Sequence, residues 1–247
     1  WFDIINTPHV HFFTPIIKKL SLSNQIIITS RNFAETEALL RLKSFDFTSY
    51  GNYSEGNIIQ KSLTLIKRDI DLVTNLEEFD VSMSCGSVCA SHTSKLRDRK
   101  CIMFDDNDIS PNWLYSNFAD YIFFPSCTKS KLLSTSNYSN SKLVFYKGYK
   151  ENIYLANYEP NNDFLSSLPF KNYVVLRPEN SLAYYSTNNK SVVPELLELF
   201  SQYSINVLFL PRYHSDKKYI KKYSNVFVPP SAVNGLDACF FSSAVIT

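Results

Sequence analysis

The sequence lacks paired cysteines. Its five cysteines, Cys85, Cys89, Cys101, Cys127 and Cys239, are spread along the chain and form no CxxC pair. A chain of 247 residues is large enough to form a stable hydrophobic core without disulfide bonds. Cys85 and Cys89 stand four apart, but no partner pair at zinc-site spacing accompanies them. We therefore expect reduced thiols, a cytoplasmic location and no metal site.

The sequence also has little charge. Only 19% of its residues are charged and the formal net charge is +2, which excludes a highly charged disordered chain and a general attraction to nucleic acid. One basic cluster occurs at Lys217, Lys218, Lys221 and Lys222. We interpret it as the solvated face of a helix, with a phosphate-binding patch as the alternative. No nucleic-acid partner is expected.

Long apolar runs are absent as well. Runs such as Tyr121–Pro125 and Ala238–Phe241 are far shorter than the ~20 residues that a membrane helix needs, and nothing resembles a signal peptide. We therefore expect no integral membrane segment. Apolar residues nevertheless make up 45% of the chain, which is enough to bury a core.

The pattern that is present is an alternation of short β-branched or aromatic runs with longer helical segments, which is typical of βαβ units and parallel sheets. We predict an α/β protein with two Rossmann-like domains of the GT-B kind, the second one truncated. The predicted strands of the first domain are Phe2–Ile5, Gln25–Thr29, Asp46–Tyr50, Val81–Ser84, Cys101–Phe104, Tyr121–Phe124 and Leu143–Tyr146.

Two of the intervening helices carry clear signals. Phe33–Leu42 follows Asn32, and Glu35 stands three residues later, which is a capping-box pattern. Ile58–Leu76 has apolar residues at three-four spacing, which predicts one buried stripe along the helix. The stripe consists of Ile59, Leu63, Ile66, Ile70 and Val73.

Composition predicts the domain boundaries. We assign residues 1–152 to the first domain, 153–171 to a linker rich in Asn, Pro, Tyr and Ser, and 172–247 to the start of a second domain. That second series has predicted strands at Tyr173–Leu176, Val207–Leu210, Val226–Val228 and Ala244–Ile246, with a short helix near Val233–Phe241. Because the chain starts at Trp1 and ends within an apolar run, we expect a fragment.

Ligands of open parallel sheets bind beyond the carboxyl ends of the strands, and the residues there are polar in this chain. After the first strand, Thr7 before Pro8 predicts a helix N-cap and an anion site. Asn6, His9 and His11 are candidate ligand-binding residues in the same segment. We favour His9 as a general base, with packing into the helix as the alternative.

Two further strands end in candidate residues. After the fourth strand, Gly86 lets the backbone approach a ligand, and Ser84 and Ser87 are predicted contacts, although plain turn chemistry explains the segment equally well. After the fifth strand, Asp105 and Asp106 are candidate acid/base residues and Asn107 a ligand contact; helix capping ahead of Ser110-Pro111 is the alternative.

The second domain offers arginines at two strand ends. Arg177 and Glu179 follow its first strand, and Arg212 follows its second. Two guanidinium groups at adjacent strand ends would clamp a diphosphate through charge-assisted hydrogen bonds. Surface ion pairs are the alternative interpretation of these residues.

Three motifs resemble those of one known family. They are Asp3–Phe13 (DIINTPHVHFF), Phe104–Asn107 (FDDN) and Val175–Glu179 (VLRPE). They closely resemble the family of uncharacterised, mainly archaeal and bacterial proteins called DUF354, over essentially all of the chain. That family is similar in turn to the GT-B superfamily of UDP-N-acetylglucosamine 2-epimerases and nucleotide-sugar glycosyltransferases. The resemblance implies a nucleotide on the second domain and an acceptor or sugar on the first.

The chain departs from these relatives in two places. DUF354 members usually continue beyond the position of Thr247 into a glycine run and a helix that would hold phosphates, so we expect weak or no nucleotide binding by these 247 residues. The epimerases carry His-Arg-x-Glu-Asn where this chain has Leu176-Arg177-Pro178-Glu179-Asn180. The resemblance implies Glu179 and Asn180 as ligand contacts, while the missing histidine counts against an epimerase.

Three functions fit these features. The first is metal-independent transfer of a sugar from a UDP-sugar to an unknown acceptor, with an aspartate or histidine of the first domain as base. The second is 2-epimerisation of the sugar with Asp105 or Asp106 as acid/base. The third is non-catalytic binding of a nucleotide-sugar. Apart from the UDP-sugar substrate no cofactor is expected, and the oligomeric state stays open.

Overall fold

The computed structural model describes residues 1–54, 56–106, 113–134, 142–179, 191–220 and 223–247. These residues form two compact units, Trp1–Asn157 and Tyr158–Thr247. The division lies within the range 153–171 that we assigned to a linker, next to a predicted first domain of residues 1–152. Part of that range is folded, because Asn162–Ser167 form a 3₁₀ helix.

The first unit contains a seven-stranded, wholly parallel sheet in the order β3-β2-β1-β4-β5-β6-β7. This confirms the predicted α/β class with a parallel sheet. The strands are β1 (Phe2–Ile4), β2 (Ile28–Asn32), β3 (Thr48–Asn52), β4 (Val81–Cys85), β5 (Lys100–Phe104), β6 (Tyr121–Pro125) and β7 (Leu143–Tyr146).

Two strands start later than predicted. The apolar pattern placed them at Gln25–Thr29 and Asp46–Tyr50, but β2 begins at Ile28 because Phe2 of β1 pairs with it there. β3 is shifted with β2, and Asn32 pairs with Asn52. A hydrophobic run therefore located each strand, whereas the register of the neighbouring strand set its ends.

The helices of the first unit lie between the strands, as the alternation of βαβ units predicts. They are α1 (Thr7–Leu20), α2 (Thr36–Leu42), α3 (Ile58–Asn75), α4 (Val88–Leu96), α5 (Trp113–Ser116), α6 (Lys129–Ser134) and α7 (Lys150–Leu155). The predicted capping box at Asn32 and Glu35 is wrong, because Asn32 belongs to β2 and α2 begins at Thr36. None of the helices in the described ranges is long and apolar enough to span a bilayer.

Helix α3 contradicts the predicted buried stripe. Asn57 caps it through a complete capping box with Gln60, which satisfies two N–H groups at the start of the helix. Its apolar stripe, however, faces outward, and more than half of Ile59, Leu63 and Ile66 is exposed. The side that packs on the sheet instead carries Leu72 and the buried Arg68.

Arg68 reaches into the centre of the sheet to Asp3 of β1. Its NH1 and NH2 groups donate to the two carboxylate oxygens at 3.0 and 2.6 Å. Asp3 is fully buried and also accepts hydrogen bonds from the hydroxyls of Thr29, at 2.7 Å, and Ser87, at 2.5 Å. Burial opposes ionisation of Asp3, but the charge and hydrogen bonds of Arg68 prevail and lower the pKa of the carboxyl.

The second unit repeats this topology on a smaller scale. Its four parallel strands have the order β10-β9-β8-β11, so the first strand in sequence lies between the second and the fourth, as in the larger sheet. The strands are β8 (Val174–Leu176), β9 (Val207–Phe209), β10 (Val226–Phe227) and β11 (Ala244–Ile246), and the α-helices are α8 (Val193–Gln202) and α9 (Gly235–Phe240).

The predicted basic helix of the second unit is a 3₁₀ helix, His214–Tyr219. Lys217 and Lys218 lie in its last turn, and the ammonium of Lys218 lies 4.9 Å from the centre of the Tyr219 ring. Lys221 and Lys222 are outside the described residues.

The buried ion pair leads to the first prediction. Replacement of Arg68 by methionine leaves Asp3 buried without its countercharge, so we expect the free energy of unfolding to fall by about 3–5 kcal/mol. Urea denaturation at neutral pH measures this loss. Because the pKa of Asp3 is lowered on folding, the pair stabilises fully above the ordinary carboxyl pKa of 3.8 and its contribution declines as the pH falls below it.

Two variants serve as controls. Arg41→Met breaks an exposed pair with Glu37, and we expect a change of about 0.5 kcal/mol or less. Adding Asp3→Asn to Arg68→Met removes the uncompensated charge and should recover part of the loss. Equal losses in Arg41→Met and Arg68→Met would contradict the role of the buried pair.

Candidate functional site

A pocket opens at the carboxyl ends of the strands of the first unit. β1 lies between β2 and β4, so the connections leaving β1 and β4 diverge and leave a crevice, which is where open α/β sheets bind ligands. The cavity measures about 320 Å³. Its lining residues include Asn6, His9, Gly86, Asp105, Asp106, Tyr115, Tyr146 and Lys150.

Helix α1 begins one residue earlier than the predicted N-cap implies. Asn6, not Thr7, occupies the N-cap position, with extended backbone and Pro8 in the first turn. The Asn6 side chain does not cap the helix but accepts a hydrogen bond from Arg31 at 3.5 Å. The Thr7 hydroxyl instead contacts that of Thr36 at 3.4 Å. Asn6 itself lines the pocket, as its position after β1 predicted.

The two histidines of α1 lie in different surroundings. His9 lines the pocket, and its buried Nδ1 has no hydrogen-bond partner among the described residues. Burial, assisted by the charge of Lys150, lowers the pKa of His9 to about 3, so the imidazole is neutral at physiological pH. His11 is not a lining residue, and its ring lies 5.9 Å from that of Tyr154.

The turn after β4 brings one of three predicted residues to the pocket. Gly86 lines it with a φ of +62°, a conformation that side chains disfavour. Ser84 is fully buried and its hydroxyl donates to the Met103 sulfur at 3.0 Å. Ser87 caps α4 by accepting from the backbone N–H of Ala90, while its own hydroxyl donates to Asp3. Both serines therefore have structural contacts and do not line the pocket.

The acidic segment after β5 supplies the charged part of the pocket. Asp105 accepts hydrogen bonds from the Tyr115 hydroxyl and from the backbone N–H of Asp106. Asp106 forms an ion pair with Lys150, and both side chains keep part of their surface exposed. Burial opposes the charge of Lys150, but the hydrogen bond and charge of Asp106 raise the pKa of that ammonium. Asn107 lies outside the described residues.

Sequence reasoning missed the basic partner of this carboxylate. Lys150 begins α7 after Lys147-Gly148-Tyr149, the segment that follows β7 at the same edge of the sheet. The rule that identified Asp105 and Asp106 applies equally to this segment, so the signal was available. Gly148, with a φ of +105°, marks the turn that returns the chain toward the pocket.

Two further lining groups resist ionisation. Burial raises the pKa of the Tyr146 hydroxyl to about 12 and raises the pKa of the Cys85 thiol as well. Cys85 is therefore a neutral thiol, which makes it a poor nucleophile. No group of three histidine, cysteine or acidic side chains in the described ranges is arranged to hold a metal ion.

The remaining predicted residues belong to the second unit. Arg177 and Glu179 directly follow β8, and Arg212 follows β9. The Nε of Arg212 donates to the carbonyl of Pro178 at 3.0 Å, which joins the two strand-end segments. Asn180 is outside the described residues.

Comparison with known proteins identifies the family. The family model DUF354, described as a protein of unknown function, matches residues 1–247. The chain belongs to this family. This DUF354 chain is 24% identical over 262 residues to the uncharacterized protein MJ0665 of Methanocaldococcus jannaschii, and the match covers 100% of the chain and 75% of that relative.

Solved structures share the fold of this DUF354 protein. The UDP-GlcNAc 2-epimerase from Neisseria meningitidis bound to UDP-GlcNAc matches with a TM-score of 0.68 and 13% identity, over 97% of this chain and 74% of the epimerase. The spinosyn forosaminyltransferase SpnP matches with a TM-score of 0.53 and 11% identity, over 99% of this chain and 74% of that protein. The DUF354 chain therefore has the GT-B-like fold found in nucleotide-sugar proteins.

The burial of His9 leads to the second prediction. Its lowered pKa means that it stays neutral while ordinary histidines titrate around 6.5, so its proton resonances should not shift between pH 8 and pH 5. His92 is the internal control, because its hydrogen bond to Asp69 raises its pKa. NMR titration of the ring protons, assigned with His9→Gln and His92→Gln, measures both. A His9 midpoint near 6.5 would contradict the burial of this ring.

Proposed function

We propose that this protein transfers a sugar from a UDP-sugar to a hydroxyl group of an acceptor, with Asp106 as general base and without a metal ion. The observation that carries the proposal is the Asp106–Lys150 ion pair in the strand-end pocket of the first unit. The GT-B-like fold supports a nucleotide-sugar substrate, whereas the choice of reaction rests on the chemistry of this pocket.

The charge of the pocket favours an acceptor there over the nucleotide. Its described lining residues include two carboxylates, Asp105 and Asp106, and one ammonium, that of Lys150, while His9 is neutral. A net negative pocket repels a diphosphate but tolerates the hydroxyls of a neutral acceptor. Phe12, Phe104 and Tyr146 provide aromatic wall against which the apolar face of such an acceptor would pack.

Asp106 has the properties that a base requires. Its side chain is 39% exposed, so a substrate hydroxyl can reach it, and it forms an ion pair with the Lys150 ammonium. In the proposed step the acceptor oxygen attacks the anomeric carbon while the bond to the UDP oxygen breaks. The acceptor proton moves to Asp106, and UDP leaves with the electron pair.

The other lining residues position the reactants. Asp105 holds the loop, because it accepts from Tyr115 and from the Asp106 backbone. The unpartnered Nδ1 of His9 would form a hydrogen bond with an acceptor hydroxyl rather than act as a base, since a pKa of about 3 makes it a weak one. Gly86 lets the backbone approach the same ligand.

The nucleotide would be bound by the second unit. We assign this role to the strand-end residues there, with Arg177 and Arg212 compensating the charge of the departing diphosphate and Glu179 and Asn180 contacting the nucleotide. Two guanidinium groups would supply the compensation that a metal ion provides elsewhere.

A second candidate function is 2-epimerisation of the sugar. It is favoured by the same ion pair, because Asp106 and Lys150 place a proton acceptor and a proton donor side by side in one pocket. Epimerisation at a carbon next to the anomeric centre needs a proton to leave and to return.

The third prediction separates these reactions. The protein expressed from its complete gene is incubated with a panel of UDP-sugars, with and without sugar or polyol acceptors. We expect release of UDP only when an acceptor is present. A coupled-enzyme assay for UDP measures this release. Interconversion of sugar epimers without an acceptor, seen by NMR, would establish the second candidate instead, and binding without turnover would exclude both.

The fourth prediction concerns the base. We expect Asp106→Asn to lower kcat by roughly 10²- to 10⁴-fold with little change in KM, because the amide cannot accept the proton. Lys150→Met should also lower kcat, since the carboxylate loses its countercharge. The matched control is Lys147→Met, which removes an exposed lysine of the same segment and should leave the rate unchanged. Full activity of Asp106→Asn would rule out the proposed base.

A further inference from the structure

Helix α3 has two faces of different character. The inner face packs on the first unit through Leu65, Arg68 and Leu72. The outer face exposes four large aliphatic side chains: Ile59 is 66% exposed, Leu63 61%, Ile66 53% and Ile70 57%. We call these four residues, together with the half-buried Val73, the α3 stripe. An exposed row of this kind is unusual on a soluble surface.

The spacing of the α3 stripe is that of a helix-pairing seam. Its members alternate at intervals of four and three residues, which is the heptad pattern of the a and d positions. A row this narrow is typical of one helix packing along another rather than of a helix on a sheet. The flanking positions are polar and include Gln60, Ser62 and Thr74.

Helix α3 cannot rotate about its axis to bury the α3 stripe against the first unit. Arg68 lies on the opposite side of α3 from Ile59, and its two hydrogen bonds to the buried Asp3 hold that side against the sheet. On one flank of the stripe, Asp69 accepts from His92 of α4 at 2.8 Å, which fixes the rotation further. The stripe is therefore a permanent outward feature of the first unit.

We propose that the α3 stripe is a homodimer interface in which α3 of a second copy packs on it about a two-fold axis. An isologous contact requires a patch that matches itself, and a straight aliphatic seam does so. The two flanks carry single charges, Lys67 on one and Asp69 on the other, so two copies meet without rows of like charge. The proposal is independent of the reaction catalysed.

The apolar area of the α3 stripe is consistent with a second copy of the chain packing on it. At roughly 100 Å² for each aliphatic side chain, the stripe offers about 500 Å² per copy, and the polar flanks extend it toward the ~800 Å² per partner of a standard interface. The arrangement also has the usual anatomy of such an interface, because an apolar centre is surrounded by a polar rim.

The fifth prediction is the oligomeric state. Sedimentation velocity of the 247-residue chain at micromolar concentration should give a dimer of about twice the chain mass of 28.5 kDa. Ile66→Glu places a charge in the middle of the seam and should weaken dimerisation by about 100-fold or more, with unchanged circular dichroism. The control Leu22→Glu alters an equally large exposed side chain beyond the end of α1, 86% exposed, and should leave the dimer intact.

Cross-linking tests the interface directly. In a background in which the exposed Cys127 and Cys239 are replaced by serine, Leu63→Cys or Ile66→Cys should form an intermolecular disulfide under mild oxidation, and Leu22→Cys should not. A monomer at every concentration overturns the proposal. So does a dimer that withstands Ile66→Glu and forms no disulfide at either position, because the stripe would then be covered by something other than its own copy.

Discussion

The buried carboxylate of Asp3 is the point at which four elements of the first unit meet. It lies in β1 and receives hydrogen bonds from Thr29 of β2, Arg68 of α3 and Ser87 at the start of α4. A charge with no access to water is costly unless every partner is present. The two helices and the two strands are therefore held in one arrangement. If one of them moved, Asp3 would lose a hydrogen bond while its charge remained buried.

This arrangement sets both surfaces on which function is proposed. Because the Ser87 hydroxyl is bound to Asp3, the turn that contains Gly86 is fixed at the edge of the pocket. Because Arg68 points inward, the α3 stripe points outward. The pocket and the outer face are thus both positioned by contacts of the same buried carboxylate.

The sequence predicted what depends on local pattern and missed what depends on distant partners. Strand positions and the acidic segment at Asp105 and Asp106 followed from apolar runs and from the position of polar residues after them. The α3 periodicity revealed an apolar row but not which side of the helix faces the sheet. In the sequence, Arg68 looks like a surface residue, because its partner Asp3 lies 65 residues earlier. Lys150 differs, because the position of its segment after β7 already indicated the edge of the pocket, and only its pairing with Asp106 required the structure.

The burial of His9 shows how such distant contacts change chemistry as well as packing. An imidazole after a strand suggests a base that titrates near neutrality, yet burial and the Lys150 charge lower its pKa to about 3. The proposed base is therefore Asp106, whose carboxylate is partly exposed and forms an ion pair with an ammonium. With that ammonium engaged and two carboxylates in the lining, the described residues of the pocket offer no surplus positive charge for a diphosphate. In the proposed transfer, the charge of the departing UDP would therefore be compensated by groups outside this pocket.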